Sequence, residues 1–62
     1  MYPQPNEIVT VEDGNGILHE MVIKSVDTTK DTVTGEVSAW PGGKERGKTV
    51  ETVTVPLMSI VS

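Results

Sequence analysis

Residues 32–40 alternate strictly: Val33, Gly35, Val37 and Ala39 take one parity, Thr34, Glu36 and Ser38 the other. A period of two over β-branched residues specifies a strand with one face buried and the other in water. Gly35 falls on the inward parity, where it marks a bend or the close approach of another strand that a Cβ would obstruct. Such a strand needs partners, and the rest of the chain supplies them.

Ile8-Val9-Thr10-Val11-Glu12 is a short β-rich run, and Asp13-Gly14-Asn15-Gly16 follows it with residues that tolerate positive φ. This predicts a hairpin into a second strand over residues 17–27. There Ile17, Met21 and Ile23 share one face with His19 between them, but Val26 falls out of phase. A bulge or sharp bend near Lys24 and Ser25 returns Val26 to the core. Leu18, Met21, Val22 and Ser25 also sit at helical spacing, yet Val22, Ile23, Val26 and the preceding Gly16 favour strand. After a polar turn over residues 28–31 and the alternating third strand, residues 49–55 form a fourth, with Val53 and Val55 inward. Pro56-Leu57-Met58 stops the ladder in a tight 3₁₀ turn that lets Leu57 cover the end of the core, and Ser59-Ile60-Val61 adds a short last strand. Pro3 and Pro5 make residues 1–6 a loose N-terminal arm, leaving 7–62 as one domain. The expectation is an all-β fold, a five-stranded barrel with a short 3₁₀ turn before the last strand.

Composition narrows what such a domain can do. At 62 residues with no cysteine, the chain has neither a disulfide frame nor a thiolate metal site, and its one histidine cannot build a metal cluster alone. Packing is left to hold the fold, with self-association through an edge strand as the further support expected of so small a core. Nine acidic residues against five basic ones give a net charge of -4, which repels polyphosphate at long range. No apolar run approaches the ~20 residues that span a bilayer, and the start lacks the basic and apolar regions of a secretory leader, so a cytoplasmic protein is expected.

The strand order and loops resemble the SH3-like and Sm-like small barrels. Val9-Thr10-Val11, Asp13-Gly14, the bent strand ending at Val26-Asp27 and then Thr32-Val33 are similar to the first Sm motif. Residues 53–61 resemble the strand, 3₁₀ turn and short strand that close many SH3-like domains. The resemblance implies the five-stranded SH3-like (or Sm-like) barrel and a binding rather than a catalytic role. Asp27 falls where the Sm family has an Asp of its uridine pocket, but Asp31 stands where that pocket has Asn, and Pro56 interrupts the second Sm motif. With Tyr2 and Trp40 as its only aromatics, the chain also lacks the ring-lined groove with which SH3 domains hold proline peptides.

No arrangement of nucleophile and base surrounds His19, and Glu20, Asp27 and Asp31 read as solvated turn and edge carboxylates, so no catalytic residue, metal or cofactor is expected. The segment Gly42-Gly43-Lys44-Glu45-Arg46-Gly47-Lys48 lacks the Walker spacing of a phosphate loop. It does hold three of the five basic residues, directly after Trp40. An outward Trp beside Arg and Lys is an anchor for protein partners and a platform for bases, whereas an inward one is a lid on the core. The expected function is therefore a non-enzymatic interaction or assembly module that binds a protein partner through Trp40, Lys44, Arg46 and Lys48. The alternative is nucleic-acid binding by the same basic residues. A phage or mobile-element protein acting on a host target is compatible with this size and composition.

Overall fold

A computed structural model describes residues 2–38 and 50–62. Its described strands are β1 (Ile8–Glu12), β2 (Leu18–Asp27), β3 (Thr32–Ser38) and β4 (Val50–Pro56), and a 3₁₀ turn at Leu57–Ser59 follows β4. The strands form one antiparallel sheet in the order β1-β2-β3-β4, each bonded to its neighbours in sequence. Turns of a few residues return β2 beside β1 and β3 beside β2, and residues 39–49 connect β3 to β4.

Parity determines what is buried. Val9 and Val11 on β1, Met21 and Ile23 on β2, Val33 and Val37 on β3 and Val55 on β4 form the buried core, with Val26, Val53, Leu57 and Ile60 packed against it. Across the inner face Val9, Met21, Val37 and Glu51 stand in one row, and Ile23, Gly35 and Val53 in the next. Gly35 makes that second row possible. A Cβ there would lie 2.5 Å from Met21 Cγ and 2.5 Å from the Val22 carbonyl oxygen, so Met21 lies across the bare backbone of β3.

The register of β2 against β3 shifts between Ile23 and Ser25. Lys24 is the extra residue, and because of it Ser25 lies opposite Thr34 on the outer face while Val26 meets Val33 inside. The phase slip seen in the sequence is thus a β-bulge, which also bends the strand toward its core. Ile17, by contrast, is exposed in the turn before β2 instead of sharing the inner face.

The five-stranded barrel does not form. The described residues make four strands in a sheet that is not closed, and the expected last strand is replaced by a single bridge between Val11 and Ile60. Val61 N donates to Thr10 O at 2.8 Å and Thr10 N to Ser62 O at 2.9 Å. The physical reason lies at Pro56 and the 3₁₀ turn. They lift the chain off the edge of β4 and carry it over the core, where Leu57 and Ile60 pack, so it reaches β1 too briefly to build a ladder. The sheet therefore keeps two edges. At the N-terminus Asn6, at φ 71°, donates to Ile23 O at 2.8 Å, and Ile23 N donates to Glu7 O at 2.9 Å, prolonging the contact of β1 with β2.

Candidate functional site

The turn between β1 and β2 is organised by one carboxylate. Asp13 Oδ1 accepts from Asn15 N at 2.7 Å and from Ile17 N at 2.9 Å, while Oδ2 lies 2.6 Å from His19 Nε2. An ionised carboxylate only accepts, so the shared imidazole proton belongs to Nε2. The Asp13 side chain is 1% exposed and that of His19 11%. Gly16, at φ +82°, lets the chain turn back beneath them. The His19 hydrogen bond, aided by those from Ile17 and Asn15 and opposed by burial, holds the Asp13 carboxyl below its ordinary value. All of these bonds lie within residues 13–19, so they act as a clasp that fixes where β2 begins.

Asp13 is a residue that the sequence reading passed over as one of four turn formers. Its signal was an Asp followed by Gly-Asn-Gly, the pattern of a side chain that bonds backbone N–H groups two or more residues on. The other candidate carboxylates have local roles. Asp27 Oδ1 accepts from Thr29 N at 3.0 Å and Lys30 N at 3.1 Å, and Asp31 Oδ1 accepts from the Tyr2 hydroxyl at 3.4 Å.

The outer face of the sheet carries a different kind of feature. Alternation should leave it polar, and Thr10, Thr34, Thr52 and Thr54 obey. Ile8 and Val22, however, stand opposite each other in one outer row that continues to Glu36 and Thr52. Ser38 and Val50 pair in the next row, near Glu20, and Leu18 lies beyond, opposite Glu12. Ile8 is 63% exposed, Leu18 58% and Val50 50%. Ile8, Glu20, Val22, Glu36, Ser38 and Val50 border a shallow depression of about 390 Å³. Lys24 Nζ is 4.0 Å from Glu36 Oε2, a solvated pair of little energetic weight that leaves this face acidic. Toward the β2–β3 turn, Tyr2, Lys30, Leu57 and Met58 line a second depression.

Trp40, Lys44, Arg46 and Lys48 lie outside the described residues. Ser38 and Val50, the residues on either side of that segment, border the outer-face depression and pair with each other. Among the described residues, no helix is long and apolar enough to cross a membrane. Comparison with protein-family models, with curated proteins and with solved structures found no match, so the chemistry of this surface has to be read from its own residues.

Proposed function

We propose that the chain is a non-enzymatic protein-interaction module whose contact surface is the outer face of the sheet at its Ser38 and Val50 end. The observation that carries this reading is the placing of Ile8, Val22 and Val50 around one outer-face depression, with Leu18 exposed further along the same face, on positions that folding alone would fill with polar residues. Apolar side chains gathered on a solvent face and rimmed by charge mark a surface that a partner covers. Glu12, Glu20 and Glu36 supply the rim, so the partner it fits presents apolar side chains flanked by Lys or Arg. Residues 39–49 connect Ser38 to Val50, and on sequence grounds the reading extends the contact to Trp40 as an anchor and to Lys44, Arg46 and Lys48 as groups that meet acidic side chains of the partner.

The test is capture of a protein ligand on immobilised wild type, on Glu20→Lys/Glu36→Lys and on Trp40→Ala. The reading expects a ligand that both variants fail to hold and that added salt weakens, because the rim is solvated. A ligand retained equally by all three would overturn it. Recovery of RNA or DNA that depends on Lys44, Arg46 and Lys48, with affinity falling steeply in salt, would support the nucleic-acid alternative instead.

A further inference from the structure

The two edges of the sheet differ. On β1 the backbone of Thr10 is occupied, its N–H by Ser62 O and its carbonyl by Val61 N. No backbone partner beyond β3 is found for Thr52–Val55 of β4 among the described residues. The direction of the β4 backbone groups follows from one bond: Leu57 N donates to Asp31 O, and Pro56 pairs with Thr32 next to it. Antiparallel ladders alternate between bonded and non-bonded pairs, so Val55, Val53 and Glu51 exchange bonds with β3. Val50, Thr52, Thr54 and Pro56 then turn their backbone groups away from β3. Pro56 sits where its missing N–H breaks nothing, as edge prolines do.

Exposed edges are ordinarily guarded by lysine, by an inward charge, by a bulge or by covering chain. From Thr52 to Val55 the strand reads Thr-Val-Thr-Val, with no lysine, charge or bulge and no covering chain among the described residues; the inward charge of β4, Glu51, lies at its start. We propose that this edge is completed by a second copy of the chain, pairing antiparallel with β4 across a two-fold axis at Val53. Val53 is the midpoint of Val50–Pro56, so this register spans the whole strand, with each Val50–Pro56 pair making one bond instead of two because Pro56 has no N–H. Thr52 stands opposite the partner's Thr54, with outward-directed N–H and carbonyl groups on both, as a hydrogen-bonded pair requires. Glu51 faces the partner's Val55, so no like charges oppose each other. The half-buried Val53 meets the partner's Val53 at a non-bonded site, where side chains approach most closely. A small core gains support from the added sheet. The two-fold axis stands perpendicular to the sheet and puts both outer faces on one side, doubling the contact surface proposed above, although the dimer rests on the edge and not on that surface.

The test is the mass of the wild-type chain by sedimentation equilibrium from about 10 μM to about 1 mM, where weak edge pairing is populated. Exchange of the Thr52 and Thr54 amides is measured over the same range. The mass is expected to double, with more association in added salt because each copy carries -4, and the two amides to slow about ten-fold or more as the dimer forms. Thr52→Pro removes no bond to β3 and should keep the wild-type circular dichroism while staying a single chain. A single-chain mass throughout would overturn the proposal, as would a dimer that Thr52→Pro retains, or fast exchange of both amides in the associated protein. If Thr52→Pro does not fold, wild-type amide exchange decides by itself.

Discussion

Gly35→Ala tests the packing on which the inner face depends. The added Cβ would lie 2.5 Å from Met21 Cγ, 2.8 Å from Met21 Sδ and 2.5 Å from the Val22 carbonyl oxygen. Met21 is fully buried, so its side chain has no free space to retreat into, and the carbonyl belongs to the neighbouring strand and moves only with the sheet. Overpacking of this kind costs about 1–3 kcal/mol. Two contacts far inside van der Waals distance place the substitution at the upper end. The lower backbone entropy of unfolded alanine gives back about 0.4–1 kcal/mol, leaving a net loss of about 2 kcal/mol. Against the ~3–9 kcal/mol expected for a domain of 62 residues, that is a large share. The melting temperature should fall by roughly 8–16 °C at the ~4–8 °C per kcal/mol typical of this size.

Thermal and urea unfolding of wild type, Gly35→Ala, Met21→Ala and the double variant close the cycle. Met21→Ala alone should cost about 2–5 kcal/mol by leaving a cavity. The double variant should be less destabilised than the sum by about 1 kcal/mol, since the alanine methyl enters the space that methionine vacates. It should not become neutral, because the Val22 carbonyl remains. A Gly35→Ala protein within about 0.5 kcal/mol of wild type would refute the close-approach argument. Additive single effects would show that Met21 and residue 35 do not meet.

Val26→Ser should lower stability by about 1 kcal/mol, the worth of a half-buried valine, while Ser25→Val should be near neutral; the reverse ranking in urea melts would remove the bulge at Lys24. Asp13→Ala should lower the melting temperature more than Asp13→Asn, because asparagine keeps an acceptor for Asn15 N and Ile17 N; equal melts for both variants and wild type would dismiss the clasp. The Asp13 carboxyl is held below its ordinary 3.8, so its contribution is fully present above about pH 4 and is lost as pH falls through the lower folded value. Melts between about pH 2 and pH 6 should accordingly show a smaller acid loss for Asp13→Asn than for wild type, and parallel profiles would contradict this.

The parts of the fold legible in the sequence are those set by neighbours along one strand. Alternation in β3 named Val33, Gly35 and Val37 as inward, and the phase slip at Val26 located the bulge because a strand has no other way to turn both Ile23 and Val26, which differ in parity, toward the core. Closure was not legible. Whether residues 60–62 join a ladder depends on where Pro56 and the 3₁₀ turn send the chain in space, and no local pattern encodes that path. Asp13 was hidden for a related reason. Asp-Gly-Asn-Gly fits an exposed hairpin turn equally well, and burial arises only when His19 arrives from the next strand. The apolar outer cluster was missed because Ile8, Val22 and Val50 were each ordinary β-formers in their own runs; only the register of four strands brings them to one face.

That register also bears on the proposed contact surface. Among the described residues, the inner face holds seven buried apolar residues, against which Val26, Val53, Leu57 and Ile60 pack. Polar residues at Ile8, Leu18 and Val50 would serve the fold equally well, since burying them contributes nothing to the core as it stands. An apolar residue on a solvent face gains free energy only from something outside the chain. The same reasoning applies to β4, whose outward backbone groups gain no protein partner within the described residues and whose sequence carries no charge to keep another strand away between Thr52 and Val55. A closed barrel would have satisfied those groups internally. By stopping at Pro56 and sending its last residues to β1, the chain occupies the Thr10 backbone on one edge, while Thr52–Val55 on the other gain no further backbone partner among the described residues.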